Sequence, residues 1–78
     1  MRLLRVNDAC ATTGDRRSTL YVKCKTGLIP KPVSIGGRSK GWPESELHAI
    51  NRARIAGKSD DEIRVLVQQL EAQRKAAA

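Results

Sequence analysis

Glycine and proline cut this chain into short pieces, and that punctuation limits what it can fold into. Gly14, Gly27, Pro30-Lys31-Pro32, Gly36-Gly37, Pro43 and Gly57 leave only short segments between them. Glycine takes the left-handed conformation cheaply and so ends helices. Proline fixes its own φ and pushes the residue before it toward extended geometry. Seventy-eight residues lie near the lower limit for a domain that folds alone, so caps, tight turns and one large aromatic matter to such a core.

Between these stops the segments read individually. Leu3, Leu4 and Val6 form a short apolar stretch that suits a strand. Asn7 is a plausible N-cap, Asp8 suits the positive end of a helix dipole, and the helix runs to about Thr13 before Gly14 stops it. A second helix begins near Arg16 or Arg17 and runs to about Lys25, with Thr26-Gly27 as its stop. Two short helices joined by a tight glycine turn read as a helix-turn-helix. Val33-Ser34-Ile35 alternates like a strand, Gly36-Gly37 signals a turn, and Arg38 to Trp42 returns as a second strand. This predicts a β-hairpin with a basic tip, Arg38-Ser39-Lys40. Pro43 suits the first position of a third helix, with Glu44 and Glu46 in its first turn and Leu47, Ile50 and Ala53 at helical spacing. Ser59-Asp60-Asp61-Glu62 is a capping-box pattern. Ile63, Leu66, Val67 and Leu70 then make an apolar stripe, and Gln73 to Ala78 is expected to fray.

Charge is distributed unevenly over this framework. The net charge is +7, and seven basic residues with no acidic one lie between Asp15 and Glu44. The remainder holds 8 basic and 8 acidic residues and cancels. Positive charge gathered on one side commonly meets a dense polyanion. On the second helix, Leu20 and Cys24 share one direction and should face the core. Ser18, Val22 and Lys25 point the other way, with Arg17 and Tyr21 flanking. An exposed Val22 among basic neighbours suits a major groove, where a thymine methyl is an apolar partner. Arg16 and Arg17 stand at the helix start, where a recognition helix reaches base edges. Arg38 and Lys40 on the hairpin can track phosphates or enter a minor groove. Lys31 reads equally as a phosphate contact or a solubilising charge. Tyr21 can donate to a phosphate or lay its ring over the helix, and a solvated charge cluster is the plainer account of the whole face.

Other classes find little support. Trp42 and Tyr21 are the only aromatics, too few for stacking successive bases. Trp42 reads as structural. Cys10 and Cys24 read as small buried hydrophobes, because two thiols and one histidine make a poor zinc set. His48 is a lone surface histidine. Asp60-Asp61 is explained by capping, and no nucleotide-binding loop, metalloprotease motif or nucleophile elbow occurs. The expectation is no enzyme, no cofactor and no metal. No apolar run approaches a membrane span, and the start lacks a signal peptide's hydrophobic stretch, so a cytoplasmic protein without membrane contact is expected.

The chain resembles the AlpA-like family of small phage and mobile-element regulators, which are winged-helix proteins similar to MerR DNA-binding domains and phage excisionases. The resemblance rests on Arg2-Leu3-Leu4-Arg5, Thr13-Gly14 and Arg17-Ser18-Thr19-Leu20-Tyr21. It continues through Gly27-Leu28-Ile29-Pro30-Lys31-Pro32-Val33-Ser34-Ile35-Gly36, then Arg38-Ser39-Lys40-Gly41-Trp42 and Glu46-Leu47. It implies that the second helix enters the major groove and the hairpin acts as a wing. Arg17, Ser18, Thr19, Tyr21, Arg38 and Lys40 are then DNA-contact candidates. Asp15 and Arg16 stand where the family often has an apolar residue and a serine cap, and Lys23 where an apolar residue is usual.

The expected fold is mostly α with a small β-hairpin: a winged helix-turn-helix over residues 1–57, followed by a C-terminal amphipathic helix and tail over 58–78. The candidate DNA-binding residues are Arg16, Arg17, Ser18, Thr19, Tyr21, Val22, Lys25, Lys31, Arg38, Ser39 and Lys40. The expected partner is double-stranded DNA. The resemblance adds an excisionase or transcriptional role, with an integrase or other recombinase as a further partner, and side-by-side self-association on short repeated sites is expected besides. A protein-interaction module of anti-repressor type that binds an acidic partner, or an RNA binder, is the alternative.

Overall fold

The glycine and proline stops named above fall in the connections between elements, except Pro43, which ends a strand. The computed structural model describes residues 2–76. Within them the order is β1 (Leu3–Leu4), α1 (Val6–Thr13), α2 (Arg17–Thr26), β2 (Val33–Ser34), β3 (Lys40–Pro43), α3 (Glu44–Ile55) and α4 (Asp60–Ala76). This is the winged helix-turn-helix architecture the sequence predicts, with a sheet in place of a bare hairpin.

Gly14 makes the turn between α1 and α2. Its φ of 79° is left-handed, and its N–H donates to the Cys10 carbonyl at 2.8 Å, closing α1. Asn7 is not the cap of α1. Arg5 holds that position in extended geometry, its carbonyl accepting from Ala9 N–H at 2.8 Å. The helix starts early because β1 ends at Leu4, where it is paired to Trp42, and half-buried Val6 must reach the core at once.

The wing differs from the expected hairpin in two ways. Its strands are shorter: Ile35 to Ser39 form the connection, closed by Ile35 N–H donating to Ser39 O at 3.1 Å. Arg38 therefore sits in the turn itself. The returning strand β3 also pairs on its other side with β1, antiparallel, giving the order β1-β3-β2. Gly41 lies where β3 passes β1, and a Cβ there would stand 3.2 Å from Leu4 O, a contact tight enough that the neighbouring strand would have to give by a few tenths of an ångström. Pro43 closes β3 opposite Leu3 rather than opening α3. Its ψ of 125° is extended, and α3 begins at Glu44, whose N–H donates to Arg2 O at 2.8 Å.

The interior forms two clusters. Leu4, Ala9, Leu20, Cys24, Ile29, Trp42 and Leu47 fill the space between the helix-turn-helix, the sheet and α3. Trp42 is 1% exposed, and its Nε1 donates to Pro30 O at 2.9 Å, so the one large aromatic is both filled around and hydrogen-bonded. Ile50, Ile63 and Val67 make the second cluster, with Leu28, Ala53, Leu66 and Leu70 around it, and this joins α4 to α3. The capping box at the start of α4 is formed: Glu62 N–H donates to Ser59 Oγ at 3.2 Å, and Ser59 N–H to Glu62 Oε1 at 3.0 Å.

The end of α4 does not fray where the sequence reading placed fraying. The helix continues to Ala76, and Arg74 pairs with the buried carboxylate of Glu46 on α3. Ala77 and Ala78, the rest of the expected frayed tail, lie outside the described residues.

Candidate nucleic-acid interface

The fold places α2 with one apolar side down and its remaining surface open. Leu20 and Cys24 are buried, while Arg17, Ser18, Thr19, Tyr21, Val22 and Lys25 are exposed, Val22 at 57% and Tyr21 at 42%. Burial pushes the Cys24 thiol up, partly offset by the neighbouring Trp42 N–H, and its Sγ lies 3.6 Å from Pro30 O, to which it donates, so it packs as a small hydrophobe and makes a poor nucleophile. Arg16 is the N-cap of α2, and its side chain makes no capping bond. No acidic residue occupies the first turn. The free N–H groups there and the positive end of the helix dipole together favour an anion.

The wing stands against the N-terminal half of α2. A cleft of about 260 Å³ is lined by Arg17 and Tyr21 from α2, Arg38, Ser39 and Lys40 from the wing, and Arg5 and Val6 from the start of α1. Four cations thus converge on one concavity. Residues 21 apart in sequence, Arg17 and Arg38, are brought together because β3 is held by β1 beneath the helix-turn-helix. Tyr21 does two things there. Its ring stands against Trp42, with centroids 6.1 Å apart and planes at 55°, and its exposed part lines the cleft.

Lys25 and Lys31 gather elsewhere, on a second concavity of about 300 Å³ at the C-terminal end of α2, together with Arg64 and Glu71 of α4. Arg16, Ser18, Thr19 and Val22 line neither hollow and occupy the open crest of α2 between them.

The ion pairs separate the basic residues into two kinds. Among the described residues, Lys23 is the one member of the acid-free stretch with an acidic partner, Asp15, at 2.9 Å. Arg16, Arg17, Lys25, Lys31, Arg38 and Lys40 have none. Of the 8 basic residues outside the stretch, Arg2, Arg54, Lys58, Arg64 and Arg74 are paired. Unneutralised charge is therefore concentrated on α2, the Pro-Lys-Pro loop and the wing. Asp15 and Lys23, two charges that depart from the pattern the resemblance implies, close on each other across the turn and the second turn of α2, with 12% and 30% of the side chains exposed.

Arg5 is the residue sequence reasoning missed. It lies outside the acid-free stretch, and its neighbour Arg2 is paired with Glu44 at 3.5 Å. Only the pairing of β1 with the wing's return strand carries Arg5 to the cleft. His48 is exposed on α3. Among the described residues no cluster of three His, Cys, Asp or Glu side chains is placed to hold a metal, and no helix is long and apolar enough to cross a membrane.

A family model described as "Prophage CP4-57 regulatory protein (AlpA)" matches residues 2–54. An uncharacterized protein, ORF88, of Enterobacteria phage P4 is 40% identical over 57 residues, which cover 73% of this chain and 65% of that protein. The chain thus spans about 65% of the length of that relative. No solved structure matches significantly.

Proposed function

Because the chain belongs to the AlpA family of prophage regulatory proteins, we propose that it is a sequence-specific double-stranded DNA-binding regulator of a phage or mobile element. The observation that carries this reading is the cleft where unpaired Arg17, Arg38, Lys40 and Arg5 meet beside an exposed helix. In the proposed complex α2 lies in the major groove. It has 10 residues, about 15 Å of helix, and a B-form major groove about 12 Å wide admits it. Ser18, Thr19 and Val22 on its crest face base edges, Val22 against a thymine methyl, and Arg17 reaches base edges from the rim of the cleft. Arg16 and the free amides at the helix start take a phosphate. Arg38, Ser39 and Lys40 follow the backbone or the adjacent minor groove, with Tyr21 and Arg5 closing the cleft on the same strand. Lys25 and Lys31 take phosphates beyond the other end of the helix. The deep, narrow major groove of duplex RNA cannot admit α2, which favours DNA over RNA.

Within that reading the protein acts as an excisionase, as a transcriptional regulator, or as both. It occupies short repeated sites cooperatively, bends the intervening DNA at a cost of order 1–6 kcal/mol, and presents a surface to the element's integrase.

Fluorescence anisotropy and footprinting across the attachment and promoter regions of the host element test the proposal. Protected repeats should bind far more tightly than duplex of unrelated sequence. Log affinity should fall linearly with log salt with a slope of about −4 to −5, as four to six neutralised phosphates require. Equal affinity for every duplex would refute specific recognition, and a slope near zero would refute the phosphate contacts.

A further inference from the structure

The C-terminal helix touches the proposed interface at its far end, and it does so through backbone atoms. Lys31 lies between Pro30 and Pro32, so its N–H is the one backbone donor in that tripeptide. That N–H donates to Glu71 Oε2 at 2.9 Å. The carbonyl on the other side of the same residue accepts from Arg74 Nη2 at 2.8 Å. Glu71 and Arg74 are three residues apart on α4, hence neighbours on one face. Arg74 is itself held by the buried Glu46 carboxylate. About two turns before Glu71, Arg64 Nε donates to Thr26 O at 3.0 Å, satisfying a carbonyl left open at the end of α2. Arg64 is in turn paired with Asp61 at 3.0 Å.

We infer that α4 is a positioning element for DNA binding. Through Arg64 it fixes the end of the recognition helix, and through Glu71 and Arg74 it grips both peptide groups of Lys31, so that the backbone bearing the exposed Lys31 side chain is anchored beside Lys25, with which it lines one hollow, and the ammonium reaches a backbone phosphate from a fixed base. This rests on the DNA-binding reading above. Glu71, Arg64 and Arg74 touch no DNA in it. Their effect is to remove the conformational freedom that an unanchored loop would lose on binding. Glu71 is an instructive case, because its charge beside Lys25 and Lys31 opposes an approaching phosphate while its oxygen holds the loop. A charge-matched pair of variants separates the two effects.

The test compares Glu71→Gln with Glu71→Ala in the full chain. Both lose the negative charge, and the glutamine keeps an acceptor for Lys31 N–H. The probe is a fluorescein-labelled DNA duplex of mixed sequence, two helical turns long, titrated across a KCl series with the melting temperature followed in parallel. Glu71→Gln should bind about three- to tenfold more tightly than Glu71→Ala, with a salt slope steeper by about one neutralised phosphate. Lys31→Ala should weaken the glutamine variant and flatten its slope, and should change the alanine variant little. A merely structural role would lower the melting temperature and leave the slope alone. If the alanine variant does not fold, Glu71→Met, of similar reach without a strong acceptor, replaces it in the comparison. Equal affinity and slope for the two variants, or an equal effect of Lys31→Ala in both, would overturn the inference while leaving DNA binding intact. A wild-type chain that shows no salt-dependent binding to duplex overturns the parent reading and this one with it.

Discussion

Replacing Arg74 by alanine should cost this protein a large part of its stability, although Arg74 lies near the end of its last helix. The Arg74 guanidinium donates to both carboxylate oxygens of Glu46, from Nε to Oε2 at 2.9 Å and from Nη2 to Oε1, and also to Lys31 O. The Glu46 side chain is 9% exposed and that of Arg74 23%. An ion pair on an open surface contributes about 0–1 kcal/mol, because water screens it. Removing one partner of a fully buried pair costs about 3–5 kcal/mol, since the remaining charge is stranded. This pair lies nearer the second limit on the glutamate side and nearer the first on the arginine side, so Arg74→Ala should cost about 2–3 kcal/mol. In a domain of this size 1 kcal/mol moves the midpoint by roughly 4–8 °C, which makes the expected shift about 10–20 °C. Thermal unfolding followed by circular dichroism measures it, and a cycle with Glu46→Gln assigns it. With a neutral residue at position 46 the loss of Arg74 should cost about 1–2 kcal/mol less, because no charge is left stranded. A shift under about 3 °C in both backgrounds would show that the pair is screened and the end of α4 loose.

Other consequences are smaller and independent. Arg17→Ala should lose about 1–3 kcal/mol at a specific site and relax base preference, whereas Lys40→Ala should weaken all duplexes alike and flatten the salt slope by about one unit; binding competition among variant sites distinguishes them. Gly14→Ala has open space for its methyl but must adopt φ of 79°, so it should cost about 1 kcal/mol by backbone strain alone, seen as a lower urea midpoint. Hydrogen bonds from the Ser59 backbone and side chain hold the Glu62 carboxyl below its ordinary value of 4.5. On acidification the unfolded chain therefore takes up that proton first, and the stabilisation, present above 4.5, is lost as pH falls through the lower folded value. Glu62→Gln should accordingly show a flatter dependence of melting temperature on pH in that acid range. Cys24 should resist alkylation in the native protein while half-buried Cys10 reacts first, which mass spectrometry of a timed iodoacetamide reaction reads directly.

Much of this fold was legible because its signals are local. A left-handed glycine ends a helix whatever lies elsewhere, so Gly14 and Gly27 marked α1 and α2 within a residue or so. Ser59 and Glu62 cap α4 from three residues apart, and the stripe Ile63, Leu66, Val67 and Leu70 is the face that packs on α3. The errors share one origin in contacts between distant residues. Asn7 has the right chemistry for a cap, but pairing of Leu4 with Trp42 moved the cap to Arg5. Gln73 to Ala76 look like a frayed end until Arg74 meets Glu46, 28 residues earlier in the chain. Pro43 suits a first helical position, yet pairing with Leu3 keeps it extended.

The order of residues alone determined the segment lengths, the helix-turn-helix, the buried faces of α2 and α4, and the acid-free run of seven cations, because stops, caps and periodicity depend only on neighbours along the chain. Tertiary structure decided which of those cations remain unpaired. It turned Lys23 inward onto Asp15, brought Arg5 to the wing, and tied the peptide groups of Lys31 to a helix some 40 residues away. Pairing and burial are properties of groups that meet in space, and here the groups that meet are supplied by strands and helices far apart in sequence.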